Sequence, residues 1–121
     1  NSTFGGNLVD MVRFTIYLEL IEQENLVQAA SENGEYLLSK LLELQANNGN
    51  MISNARGKGL FCAYDLPTTE ERDRLITIME ELGVIVLGCG HRSIRFRPHL
   101  NIKKQEIDIA ISMMIDGLSQ L

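Results

Sequence analysis

Two arginines, Arg95 and Arg97, stand at alternate positions of "RSIRFRPHL" (92–100), a run that otherwise has the composition of a buried strand. Successive side chains of an extended chain point to opposite faces, so Ile94 and Phe96 share one face while Ser93, Arg95 and Arg97 share the other. The first face calls for a core. The second carries two guanidinium groups that are costly to bury unless an anion meets them. A guanidinium matches a carboxylate bidentately, so Arg95, flanked by Ile94 and Phe96, points to a ligand carboxylate or a buried acid. Arg92 and Arg97 read instead as charges that protect an edge strand from pairing with other chains.

A second stretch with chemical potential is "STFGGN", Ser2 to Asn7, in which two hydroxyls and a glycine pair precede a helix. Hydroxyls and backbone N–H groups converging at a helix N-terminus suit a phosphate, and ordinary helix capping uses the same residue types. Cys89 and His91 in "GCGH" are neighbours in sequence, but a nucleophile also needs its base in hydrogen-bond reach and a third group to orient that base. His99 has no better claim. Lys58 in "RGKGL" sits between glycines in a bend, where a lysine reads as solvated rather than as a Schiff-base group. The two cysteines, Cys62 and Cys89, lack C-x-x-C spacing and read as free thiols; no metal site is expected.

These residues need elements to position them. "NLVDMVRFTIYLELIEQE" (7–24) reads as a helix that is apolar on nearly every side, which a small domain alone can hardly bury; it expects a partner surface. A second helix is expected from Asn25, with an N-cap pattern Asn25/Gln28 and Ala30, Gly34, Leu37, Leu38, Leu41 and Leu44 at helical spacing, ending at "NNGN" (47–50). Residues 51–66 read as extended, with Gly57 and Gly59 allowing a bend or bulge before an apolar strand at 60–66. Thr68 and Glu71 form a capping-box signature for a helix carrying Leu75, Ile76, Met79 and Leu82 and stopping at Gly83. Strands at 84–88 and 93–98 flank the "CGH" turn, and a last helix is expected from Asn101 to the C-terminus. The order ααβαββα predicts an α+β domain, a small antiparallel or mixed sheet covered by helices.

With 121 residues and 45% hydrophobic composition, the chain has enough material for one domain with a core. No apolar run is long enough to span a membrane and no signal-peptide pattern is present, so a cytoplasmic location is expected. The net charge of −5 and the absence of basic clusters argue against nucleic acid or an anionic membrane as partner. A start without Met, inside a loop motif, suggests a piece of a larger protein.

Taken in order and with their spacing, "NSTFGGNLVDMVR", "RGKGLFCAYDL" and "SIRFRPHL" resemble the C-terminal part of the class III pyridoxal-phosphate aminotransferases, over essentially the whole chain. The first run is further similar to the lysine epsilon-aminotransferase branch. Many relatives continue "GGN" with Pro, where Leu8 stands here. The resemblance implies that residues 1–24 are a phosphate loop and an interdomain or dimer helix, and that 25–121 are the small domain of a PLP-dependent transferase. It implies that Thr3, with Ser2 beside it, reaches the cofactor phosphate of a neighbouring subunit in a homodimer. Arg95 would bind a substrate carboxylate, that of 2-oxoglutarate or glutamate. The implied reaction moves the amino group of a terminal amine, lysine above all, to 2-oxoglutarate. The family's Schiff-base lysine lies in its large domain; none of Lys40, Lys58, Lys103 or Lys104 matches it, so no catalytic residue is expected here and the isolated chain is expected to be inactive. The competing expectation is a free-standing α+β module that reads a carboxylate through Arg95 without catalysis.

Overall fold

The computed structural model describes residue 3 and residues 5–121. Helix α1 (Leu8–Gln23) is followed by α2 (Leu26–Asn47), β1 (Ser53–Lys58), β2 (Phe61–Asp65), α3 (Thr69–Glu81), β3 (Leu87–Cys89), β4 (Ser93–Phe96) and α4 (Lys104–Leu118). The four strands form one antiparallel sheet in the order β1-β2-β4-β3. This is the expected α+β architecture, with one strand more than the sequence pattern suggested.

The extra strand arises at Gly59. Residues 51–66 are two strands joined by a two-residue turn, with Lys58 opposite Phe61 and Gly59 at a positive φ of 54°. Glycine at the first turn position permits a tight hairpin whose twist suits its strands. The turn lies against α2: a Cβ on Gly34 would fall 2.1 Å from the Gly59 carbonyl carbon, so Gly34 leaves no room for a side chain, while Gly59 is glycine for its positive φ. A bulge does occur, but earlier, between Ser53 and Arg56, where Asn54 takes a φ of 55°.

Helices α2, α3 and α4 cover one face of the sheet. Cys62, Tyr64 and Ile94 point into that layer and meet Leu37, Leu41, Leu75, Met79, Ile107 and Met114, all buried. Tyr64 and Phe96 are diagonal across β2 and β4, their ring centroids 5.7 Å apart. The Tyr64 hydroxyl lies 2.8 Å from the Met114 sulfur, and burial pushes its pKa well up. Among the described residues, no helix covers the other face.

Helix boundaries follow local chemistry. Thr68 caps α3, its Oγ1 accepting the Glu71 N–H at 3.1 Å, and Gly83 (φ 85°) follows its last turn. The expected cap at Asn25 is corrected: its side chain caps nothing, its backbone is left-handed, and Gln28 instead bonds Glu32 at 2.9 Å. Asn25 forms the kink between α1 and α2, a role asparagine fills because it tolerates the left-handed region. Helix α4 begins three residues later than expected, because a His99–Ile102 turn intervenes; Glu106 Oε2 accepts the Lys103 N–H at 2.8 Å. Strand β3 runs Leu87–Cys89 rather than 84–88, one residue into the expected turn, and β4 stops at Phe96 rather than at 98. The next partners along β4 lead to Pro98, which has no N–H to give.

Helix α1 contains no buried residue; Leu8 is 76% and Phe14 62% exposed. Its all-round apolar pattern thus remains uncovered.

Candidate functional site

The alternation read from "SIRFRP" holds: Ile94 is fully buried under the helices, while Ser93 and Arg95 lie on the uncovered face. Two rows of side chains cross that face. Arg56, Ala63, Arg95 and Leu87 are register partners in one row, and Ser53, Asp65, Ser93 and Cys89 in the next. Arg95 is half-buried, and its Nε is buried with no hydrogen-bond partner among the described residues. A buried donor left unpaired is costly, typically by about 1–3 kcal/mol. Such a group marks a place where an acceptor from outside these residues is wanted. Arg97 is exposed, and Arg92 is exposed with one bond to the Pro67 carbonyl at 3.3 Å, but β4 lies between β2 and β3, so the edge-strand reading of these two charges is corrected: they flank an interior strand.

An acid is present on the same face, but it does not go to Arg95. Asp65 is buried; its Oδ1 accepts from Ser93 Oγ at 2.6 Å and from Arg56 Nη1 at 2.9 Å, and its Oδ2 accepts from Asn54 Nδ2 at 2.9 Å. Burial alone would raise its pKa, but the hydrogen bonds from Ser93, Asn54 and Arg56, with the Arg56 charge, more than offset that and hold it below the usual carboxylate range. The bulge at Asn54 aims that side chain at the carboxylate. Of the two openings left by the sequence, ligand or buried acid, the acid is taken by Arg56. Arg56 and Asp65 were not singled out from the sequence; the signal was a lone aspartate within the apolar run "LFCAYDL".

Arg95 also borders an apolar cavity of about 260 Å³ between the 84–87 segment and the end of β4, lined by Val84, Val86, Leu87, Phe96 and Ile107. Among the described residues, Arg95 and Arg97 are its only charged lining residues.

At the N-terminus, Ser2 lies outside the described residues, and Thr3 stands in an exposed turn before α1. The helix cap is Asn7, whose Oδ1 accepts from Val9 N at 2.9 Å and Asp10 N at 3.4 Å. Asp10 adds an acidic group to the first turn. The α1 terminus is therefore largely satisfied from within.

The remaining reactive side chains do not converge. Cys89 and His91 are both exposed, with no hydrogen bond between them among the described residues. Cys62 is buried, which pushes its thiol pKa up. His99 Nδ1 lies 2.9 Å from Asn101 Oδ1. Lys40 and Lys104 stack over the Tyr36 ring at 5.4 and 5.2 Å, and Lys58 and Lys103 are exposed. Among the described residues no cluster of three metal-ligating side chains occurs and no helix is long and apolar enough to cross a membrane.

A family model described as aminotransferase class-III matches residues 1–118. The L-lysine-epsilon aminotransferase of Mycobacterium tuberculosis is 47% identical over 118 residues, covering 98% of this chain and 26% of that protein. The mitochondrial 4-aminobutyrate aminotransferase of Homo sapiens is 38% identical over 102 residues, covering 84% of this chain and 20% of that protein. Among solved structures, a lysine aminotransferase from M. tuberculosis superposes with a TM-score of 0.94 at 46% identity, covering 98% of this chain and 27% of that one. The chain thus spans about a quarter of the length of these relatives.

Proposed function

The chain belongs to the class III aminotransferases, and we propose that it supplies the carboxylate-binding strand and part of the cofactor-phosphate loop of an enzyme that transfers the terminal amino group of lysine to 2-oxoglutarate. Pyridoxal phosphate, when bound, supplies the electron sink for such a transfer. The residues of this chain bind and orient. Arg95 pairs with the keto-acid carboxylate, and Thr3 donates to the cofactor phosphate from the neighbouring subunit of a homodimer, with Ser2 beside it. Residues 1–24 form the loop and interdomain or dimer helix, and residues 25–121 the small domain. The bare apolar surface of α1 supports that role, because exposed apolar area of this extent is a contact surface. The aminotransferases reported above leave the free-standing module reading without support.

The observation that carries the proposal is the buried, unpartnered Nε of Arg95 on the uncovered sheet face. The test is the keto-acid half-reaction of the full-length enzyme. Paired charge-assisted hydrogen bonds cannot both be reproduced by lysine. Arg95→Lys is therefore expected to lower kcat/KM for 2-oxoglutarate about tenfold to a hundredfold, with thermal stability near wild type. Wild-type kinetics in this variant would refute the assignment. The isolated chain is proposed to be inactive, since its four lysines are solvated or stacked on Tyr36. Borohydride fixation of the cofactor onto one specific lysine of the chain is the contrary result.

A further inference from the structure

We propose that Arg56 is a positioning residue for the keto-acid site: by holding the Asp65 carboxylate, it leaves the Arg95 guanidinium free for an incoming carboxylate. This rests on the reading of Arg95 just given. Ala63 stands between Arg56 and Arg95 in one row, and Asp65 lies two residues along β2 in the next. Asp65 is therefore a diagonal neighbour of both arginines, one across β1 and β2, the other across β2 and β4. Diagonal neighbours on a sheet face lie about 7–8 Å apart, a span that a long side chain covers.

Between two guanidinium groups placed alike, the carboxylate goes to one. Arg56 is anchored to it through several points: Nη1 donates to Asp65 Oδ1 at 2.9 Å and to the Asn54 carbonyl at 2.8 Å, and Nη2 donates to Ser93 Oγ at 3.2 Å. Ser93 Oγ donates a hydrogen bond to Asp65 Oδ1, and Asn54 Nδ2 donates to Oδ2. An ionised carboxylate offers about four acceptor positions, so this arrangement nearly saturates it. The bulge selects the outcome, since it brings Asn54 and the Arg56 side chain together on one flank of Asp65. The other flank, toward Arg95, supplies only the Ser93 hydroxyl, and Arg95 Nε has no partner among the described residues. Without the Arg56 charge, Asp65 would stand as an internal rival to the substrate carboxylate for the same guanidinium. Binding would weaken while the rate after binding would not.

The test uses the full-length enzyme with its cofactor, the half-reaction with 2-oxoglutarate, and separate measurement of KM and limiting rate in Arg56→Met, Asp65→Asn and the double variant. Arg56→Met is expected to raise KM about tenfold with the limiting rate little changed. Adding Asp65→Asn is expected to return KM to within about twofold of wild type, the non-additivity of directly coupled residues. A purely structural role predicts the opposite, a double variant as impaired as the single or worse; that result overturns the proposal, as does an unchanged KM in Arg56→Met. Arg56→Gln keeps a donor for Asp65 but not the charge, and serves if Arg56→Met fails to fold; it too should show a raised KM that Asp65→Asn reverses, and no rise refutes the proposal. Arg95→Lys in the same assay separates the two readings. Damage from Arg95→Lys without damage from Arg56→Met leaves the keto-acid site standing and removes the role of Arg56; wild-type kinetics in Arg95→Lys removes both.

Discussion

The two faces of the sheet are made by the same strands and meet opposite requirements. On the helix-covered face Cys62, Tyr64 and Ile94 are buried by apolar neighbours, and the one hydroxyl among them rests on a sulfur. On the uncovered face Asp65 and Ser93 are also buried, but by each other, Asn54 and Arg56. The first face stabilises through area removed from water, and the second through saturated polar contacts. Arg95 fits neither pattern, and that departure supports its proposed role as the site residue. A group that is only half accommodated by its own domain is one that a ligand or another domain completes.

Truncation on the covered face should have the largest effect. Ile94→Ala leaves a cavity under the helices and is expected to cost about 2–5 kcal/mol in chemical denaturation; a loss below 1 kcal/mol would mean that the two faces differ less than their burial indicates. Next is Arg95→Lys, expected to cost about 1.5–3 kcal/mol in transition-state binding of the keto acid but little in stability. Equal losses in stability and kinetics would turn Arg95 into a structural residue and erase the contrast. The polar network should appear in acid. The folded-state pKa of Asp65 is depressed, so its contribution is present above the unfolded value of about 3.9 and is lost as pH falls through the lower folded value. Asp65→Asn should therefore be less stable than wild type near neutrality by roughly 1 kcal/mol, with the gap closing in acid; a gap that does not vary with pH would assign the effect to packing. The smallest effect belongs to Arg97→Lys, expected within about 0.5 kcal/mol in both stability and keto-acid kinetics because the side chain is exposed. If Arg97→Lys were the damaging change, the functional arginine of β4 would have been misassigned.

What the sequence determined by itself is what depends on near neighbours along the chain. The Thr68/Glu71 cap, the stop at Gly83, the face alternation of Ser93 to Phe96 and the uncovered apolar pattern of α1 all follow from the periods of 3.6 and 2 and from local hydrogen-bond needs. Only the tertiary structure decided that Gly59 makes a hairpin rather than a bend, because the Gly34 backbone of α2 comes within contact of it. It also decided which arginine meets the acid. The sequence places Arg56, Asp65, Ser93 and Arg95 on strands, yet Arg56 and Ser93 are 37 residues apart and joined through Asp65 by a register with β2 between them. Register, bulge position and strand order are set by packing across the whole sheet, and a diagonal contact has no period along the chain from which to read it.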